Sequence, residues 1–155
     1  MLVQRCTLEE HRLVVVVSLT KPAVCDSTFQ SVFSGNQFRA LIDTGAQRSV
    51  LTRLVIADLN LVRTGHMQFA GLHGPRTHSR YLAGIGLWAK RVDKNRSPRE
   101  YEDAELTLYS IEEPFEVVDM DNNMNFDMIL GFDVLKNHAF NFNAGKQEFE
   151  LIVQA

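Results

Sequence analysis

Cysteine is scarce in this chain: 155 residues carry two, Cys6 and Cys25. A disulfide framework needs more, so the expectation is two free thiols in a reducing compartment. Metal-ligand spacing is missing too. The five histidines (His11, His66, His73, His78, His138) match neither zinc-finger nor HExxH spacing, which leaves no metal site and no need for a cofactor. No apolar run is long enough to cross a bilayer; "LVVVVSL", residues 13–19, is far too short. It also lacks the basic start and small-residue cleavage site of a signal peptide, so the expectation is a cytoplasmic protein that meets no membrane. Nor is there a block of positive charge. Sixteen basic and nineteen acidic residues are mixed along the chain, with a net charge of -3, and no nucleic-acid footprint stands out. No internal repeat is visible.

What is present is a chain that is 45% hydrophobic, enough for a real core and most simply one domain over residues 1–155. Strand signals dominate. "RLVVVVSLT" (12–20) is β-branched and stops at Lys21-Pro22. "TFQSVFSG" (28–35) and "QFRALID" (37–43) read as a hairpin turning at "SGNQ". "SVLTRLVIADLNL" (49–61) starts as a strand and becomes a short helix over 52–58, with Thr52 as N-cap. Residues 66–89 read as two strands joined by a glycine-rich tip at 71–75. Residues 90–103 are polar and charged throughout, a solvated loop inserted between strands. Strands follow at 104–111 and 114–120. The chain closes with an apolar strand to Gly131, a helical turn over 133–137 and a hairpin at "NAGK". Short strands with regular turns and few helices argue an all-β, barrel-like fold.

One stretch is not ordinary scaffold. In "ALIDTGAQRSVLT" (40–52), Asp43 closes an apolar run and is followed at once by a tight turn, Thr44-Gly45-Ala46. A carboxylate at the end of a buried strand is costly unless it is paired or used. Asp43 alone would read as a turn aspartate satisfying backbone donors; its flanks say more.

Those flanks resemble the active-site loop of the retropepsins, the retroviral-type aspartic proteases: apolar residues, Asp-Thr-Gly-Ala, two polar residues, then Ser-Val-Leu. "MILGFDVL" (128–135) is similar to that family's apolar-apolar-Gly segment and its following helix. "FAGLHG" (69–74) stands where the family carries its flap. The likeness runs from about residue 38 to 143, with residues 1–36 as an N-terminal extension and strand, and 90–103 as an added loop. It implies a closed acid-protease barrel with a hairpin flap. It also implies an aspartic endopeptidase without cofactor or metal, acting on an extended peptide. Retropepsins are homodimers in which each subunit supplies one aspartate; this chain has one D-T-G, so the catalytic pair would be Asp43 and its copy. Thr44 would lock the two loops together, Gly45 would allow the turn, and Ala46 would leave room for substrate. Phe69, Ala70, Gly71, Leu72 and Gly74 would belong to the flap; Val50, Leu51 and Ile129 would wall the substrate pockets. Leu41 and Ile42 would bury the strand, and Ile129, Leu130 and Gly131 would pack beneath the loop.

The chain departs from that pattern in places. Where retroviral enzymes pair an acid with an arginine, Gln47 and Phe132 stand here, and Phe132 is expected to substitute apolar packing. Asp133 reads as the N-cap of the short helix, and His73 and His78 as ordinary exposed histidines, the alternative being that they tune the flap with pH. Trp88 and Tyr81 read as core or strand-face residues. The alternative to a protease is a retropepsin-like module kept for dimerisation or peptide binding, with little or no turnover.

Overall fold

The computed structural model describes residues 1–25, 28–71, 74–93, 98–111, 113–123 and 125–154. The valine run lays down the centre of the sheet. β-Branched side chains favour extended backbone, and β2 (Val14–Thr20) takes Val15, Val17 and Leu19 wholly out of solvent. β5 (Phe38–Ile42) flanks it antiparallel on one side, from Val14↔Leu41 to Val17↔Phe38. β8 (Gly74–Arg91) flanks it on the other, from Val17↔Leu87 to Thr20↔Gly84.

From β5 the ladder passes in parallel to β11 (Met128–Leu130) and antiparallel to β6 (Val50–Thr52). It continues in parallel to β10 (Phe115–Met120), which returns antiparallel to β8. Six strands therefore form a closed hydrogen-bonded circuit. Inside it lie Leu19, Leu51, Ile85, Leu87, Met128 and Leu130, none of them exposed. The fold is mostly strand, as expected.

β8 also carries β7 (Arg63–Gly71), with which it forms a long hairpin, and β9 (Leu106–Ser110). Beyond β8 the sheet continues through β1 (Leu2–Thr7) and β13 (Glu148–Val153) to β12 (Ala139–Asn143). The two ends of the chain thus pair with each other, from Leu2↔Val153 to Thr7↔Glu148. α1 (Arg53–Asp58) begins where expected: Thr52 is its N-cap and Oγ1 accepts from Val55 N at 3.4 Å. Trp88 lies on a strand face and its Nε1 donates to Ser18 Oγ at 3.1 Å.

Four local expectations are corrected. The hairpin over 28–43 does not form: β4 (Thr28–Gln30) pairs with β3 (Ala23–Cys25), because β5 already has β2 and β11 on its two edges. Residues 31–37 instead run as an irregular strap. Asn36 holds it, its side chain accepting from Leu19 N at 3.1 Å and its carbonyl accepting from Ser18 Oγ. A Cβ at Gly84 would run into Ser31 Oγ, and one at Gly86 would stand 3.4 Å from Phe33, so these two glycines make the trough the strap lies in. Residues 90–103 are not all loop: β8 extends to Arg91, and α2 (Pro98–Asp103) docks Tyr101, whose hydroxyl accepts from Arg5 N at 2.6 Å. Helix α3 (Phe132–Leu135) starts one residue early, with Gly131 as its N-cap and no side-chain cap, so Asp133 is not the cap. Strand β1 had no counterpart in the sequence reading.

Candidate active site

Ile42 ends β5 in the core, and Asp43 N donates to Leu130 O at 3.1 Å, so the acid leaves the sheet where the parallel pair β5 and β11 ends. Asp43 is partly buried. The chain then folds back on itself. Ala46 N donates to Asp43 O at 3.2 Å, and Gly45 N donates to Asp43 Oδ1 at 2.9 Å. A short acid that accepts from the amide two residues on fixes both the turn and its own carboxylate. A Cβ at Gly45 would stand 3.2 Å from that same oxygen, a close approach that favours glycine. Thr44 is exposed.

A second segment braces the loop from below. Phe132 N donates to Ala46 O at 2.7 Å. A Cβ at Gly131 would lie 2.6 Å from the Arg48 carbonyl carbon and 2.9 Å from Ala46 O, so only glycine lets the two backbones touch. Ser49, fully buried, closes the contact. Its Oγ accepts from Gly131 N at 3.0 Å and donates to Asp133 Oδ1 at 2.7 Å, while Ser49 N donates to Asp133 Oδ2 at 3.0 Å. This clamp ties together the segments that Gln47 and Phe132 leave without an ion pair. Phe132 itself leaves about half of its surface to solvent, 52% exposed.

Beside the loop opens a cleft of about 790 Å³. Gly45 and Ala46 line it from the loop, Val50 and Ile129 from β6 and β11, and Phe69 and Ala70 from β7. Asp43 stands next to this single-chain cleft and does not line it. Leu51, expected in the wall, points the other way and is fully buried; Val50 and Leu51 are neighbours on a strand and face opposite sides. Ile42 and Leu130 are buried in the core below, while Leu41 is half-buried. Gly71 and Gly74 pair at the end of the hairpin; Leu72 and His73 lie outside the described residues.

Sequence reasoning passed over Ser49 and Asp119 here and read His78 differently. Ser49 carried no signal beyond its place in the loop. Asp119 carried the signal that singled out Asp43, an acid closing an apolar strand, and is 8% exposed. His78 lines the cleft and its Nδ1 lies 2.9 Å from Asp119 O, so it is not an ordinary exposed histidine. Thiol chemistry has no foothold at Cys6. Burial foremost, and the charge of Glu9 second, push that thiol up to about 12, and an un-ionised thiol is a poor nucleophile. Among the described residues no group of three or more His, Cys, Asp or Glu is placed to hold a metal ion.

No family model and no curated protein matches the chain in sequence. Solved structures do match in shape. A retropepsin-like aspartic protease from Rickettsia conorii superposes with a TM-score of 0.50 at 11% identity, over 96% of this chain and 90% of that one. EIAV protease complexed with the inhibitor HBY-793 gives 0.43 at 22% identity, over 82% of this chain and 88% of its own. The retroviral protease-like domain of Ddi1 from Leishmania major gives 0.34 at 13%, over 85% and 82%. The closed circuit of strands and the agreement with the Rickettsia enzyme over nearly its whole length lead to one statement: this chain has the retropepsin-like fold of the aspartic proteases.

Proposed function

We propose that the protein is an aspartic endopeptidase that works as a homodimer, with Asp43 of each copy supplying half of the catalytic pair. The observation that carries this reading is the setting of Asp43. It is a carboxylate at the end of a buried strand, oriented by the Gly45 amide, beside a peptide-sized cleft with a β-hairpin along one side.

A second copy is required because each chain offers one such loop. Exposed side chains suit that role. Thr44 is exposed and Phe132 is 52% exposed. Helix α3 leads directly into β12, the last strand of the sheet path, where Phe140 and Phe142 are 44% and 53% exposed on one face. An apolar edge strand left open invites pairing with another chain.

The chemistry follows from charge. Two carboxylates about 3 Å apart repel by about 5 kcal/mol at an effective dielectric near 20. Sharing one proton removes that cost, and the titration then belongs to the pair. The ionised member takes a proton from a bound water, and the protonated member donates to the carbonyl of the scissile bond. Water attacks directly and no covalent intermediate with the protein forms. A substrate lying extended in the cleft would gain backbone hydrogen bonds like an added strand, its alternate side chains meeting Val50, Ile129 and Phe69.

The test combines cleavage of an unstructured protein at mildly acid pH with the solution mass. Asp43→Asn is expected to cost at least about 10²–10⁴-fold in rate while leaving a folded dimer. Undiminished cleavage by that variant, or a strict monomer that cleaves, removes Asp43 from the mechanism. A dimer that binds an inhibitor of the pepstatin type and never hydrolyses peptide is the non-catalytic module instead.

A further inference from the structure

β8 is 18 residues long and changes partners along its length. Its residues 80–83 pair with β10, from Val118↔Arg80 to Phe115↔Ala83. Toward the tip, residues 74–79 pair with β7 alone. The hairpin therefore leaves the body of the sheet between Ser79 and Arg80.

One residue bridges that point. Asp119 follows Val118, the last β10 residue in the ladder with β8. Its Oδ1 accepts from Ser79 N at 3.0 Å and lies 3.3 Å from His78 Nδ1; its carbonyl oxygen is 2.9 Å from the same nitrogen. Its Oδ2 lies 3.3 Å from Arg53 Nε, at the start of α1. A nearly buried carboxylate needs compensation, and here an amide and an imidazole from the hairpin join a guanidinium from the body in supplying it. The His78 ring also meets Phe69 edge-on, centroids 5.6 Å apart at 75°, and both rings line the cleft. Asp119 thus holds the root of the hairpin to the strand that runs beside β6 and its cleft residue Val50.

We propose that Asp119 and His78 form a clamp at the root of the hairpin that sets how firmly it closes over the cleft, and that protonation of the imidazole tightens it. This deepens the reading of the cleft as a peptide site and rests on it for its consequence, substrate retention. Neutral, His78 offers Asp119 an ordinary hydrogen bond. Charged, it forms an ion pair, and charge-assisted hydrogen bonds are roughly twice as strong. The surrounding charges alternate. Arg53 faces the other oxygen of Asp119 and pairs with Asp121 at 3.2 Å. Further along, Arg80 pairs with Glu116 at 3.2 Å, and Arg48 stands 4.0 Å from Glu116. From β7, His78 meets Phe69 and its register partner Met67, both uncharged. The clamp is therefore firmer with a charged ring than with a neutral one.

Amide hydrogen exchange of the whole protein, corrected for intrinsic rates at pH 5.5 and 8, tests this without any turnover. In the wild type, peptides covering β7 and residues 74–79 should be about two- to fivefold better protected at pH 5.5. In His78→Gln that difference should vanish, leaving the hairpin at its wild-type pH 8 level. Asp119→Asn should expose the hairpin at both pH values while β1 and β13 stay protected; if that variant does not fold, Arg53→Gln replaces it and should weaken hairpin protection alone. In a cleavage assay at pH 5.5, His78→Gln should raise KM more than it lowers kcat. An unchanged pH difference in His78→Gln, or a loss of protection spread over the whole sheet, overturns the clamp. Asp43→Asn should keep the wild-type exchange pattern, so failure of the protease reading and failure of the clamp are told apart.

Discussion

Ser49 joins two chain segments 82 residues apart through one hydroxyl. Ser49→Ala would leave the buried Gly131 N–H without its acceptor and the partly buried Asp133 with one donor fewer. The expected loss is about 1–3 kcal/mol, read as a lower denaturant midpoint with unchanged slope. Gly131→Ala should cost at least as much, because the new methyl meets backbone at 2.6 Å, which no rotamer change relieves. His138 gives a pH signature of a different kind. Burial holds its imidazole below the ordinary histidine value, and its Nδ1 accepts from Gln154 N at 3.1 Å, so the folded chain prefers the neutral ring. As pH falls below about 6.5 the unfolded chain takes up a proton first, and stability falls until the folded ring is protonated too. At higher pH both states are neutral and the dependence ends. His138→Gln should therefore show a shallower loss of stability between pH 7 and 5 than the wild type in matched thermal melts.

At the scale of elements, the strap over residues 31–37 makes a sharp case. Gly84→Val would place a side chain against Ser31 and within 2.8 Å of Thr20 Cγ2. It should cost about 1–3 kcal/mol and open residues 31–37 to limited proteolysis while the closed circuit survives. The same strap explains what was legible in the sequence. Elements whose signal is local could be read: the β-branched β2, the Thr52 cap of α1, the β7–β8 hairpin, and the Asp43 loop with its flanks. Elements decided by a distant partner could not. "TFQSVFSG" has the alternation of a strand, but β5 had no free edge to give it; Thr28–Gln30 paired with β3 instead, and the glycine trough of β8 took in the rest as a strap. β1 is a strand because β13 and β8 pair with it, and its own burial pattern barely alternates. Asp133 sits in the first turn of α3 as a cap would, yet Ser49 draws its carboxylate away. Within the candidate site, residues that act through sequence neighbours were visible, whereas His78 and Asp119 act across 41 residues.

For the whole molecule the decisive question is association. On the proposed reading one copy carries half of the site; Asp43 stands beside its cleft, Thr44 is exposed, and Phe132, Phe140 and Phe142 are each exposed. Charges placed on an exposed face seldom move the stability of a single chain by more than about 0.5 kcal/mol. At an interface the same change buries an unpaired charge and costs several-fold more. A variant carrying Phe132→Glu and Phe142→Lys should therefore melt like the wild type when dilute, yet sediment as a monomer where the wild type is a dimer. If two copies of Asp43 must meet, wild-type activity per chain should rise with concentration through the dimer dissociation constant. The variant's curve should be displaced to higher concentration by the factor that sedimentation gives. Cleavage strictly proportional to chain concentration in both proteins, with the variant monomeric throughout, would mean that one chain suffices and that the exposed phenylalanines serve something other than pairing.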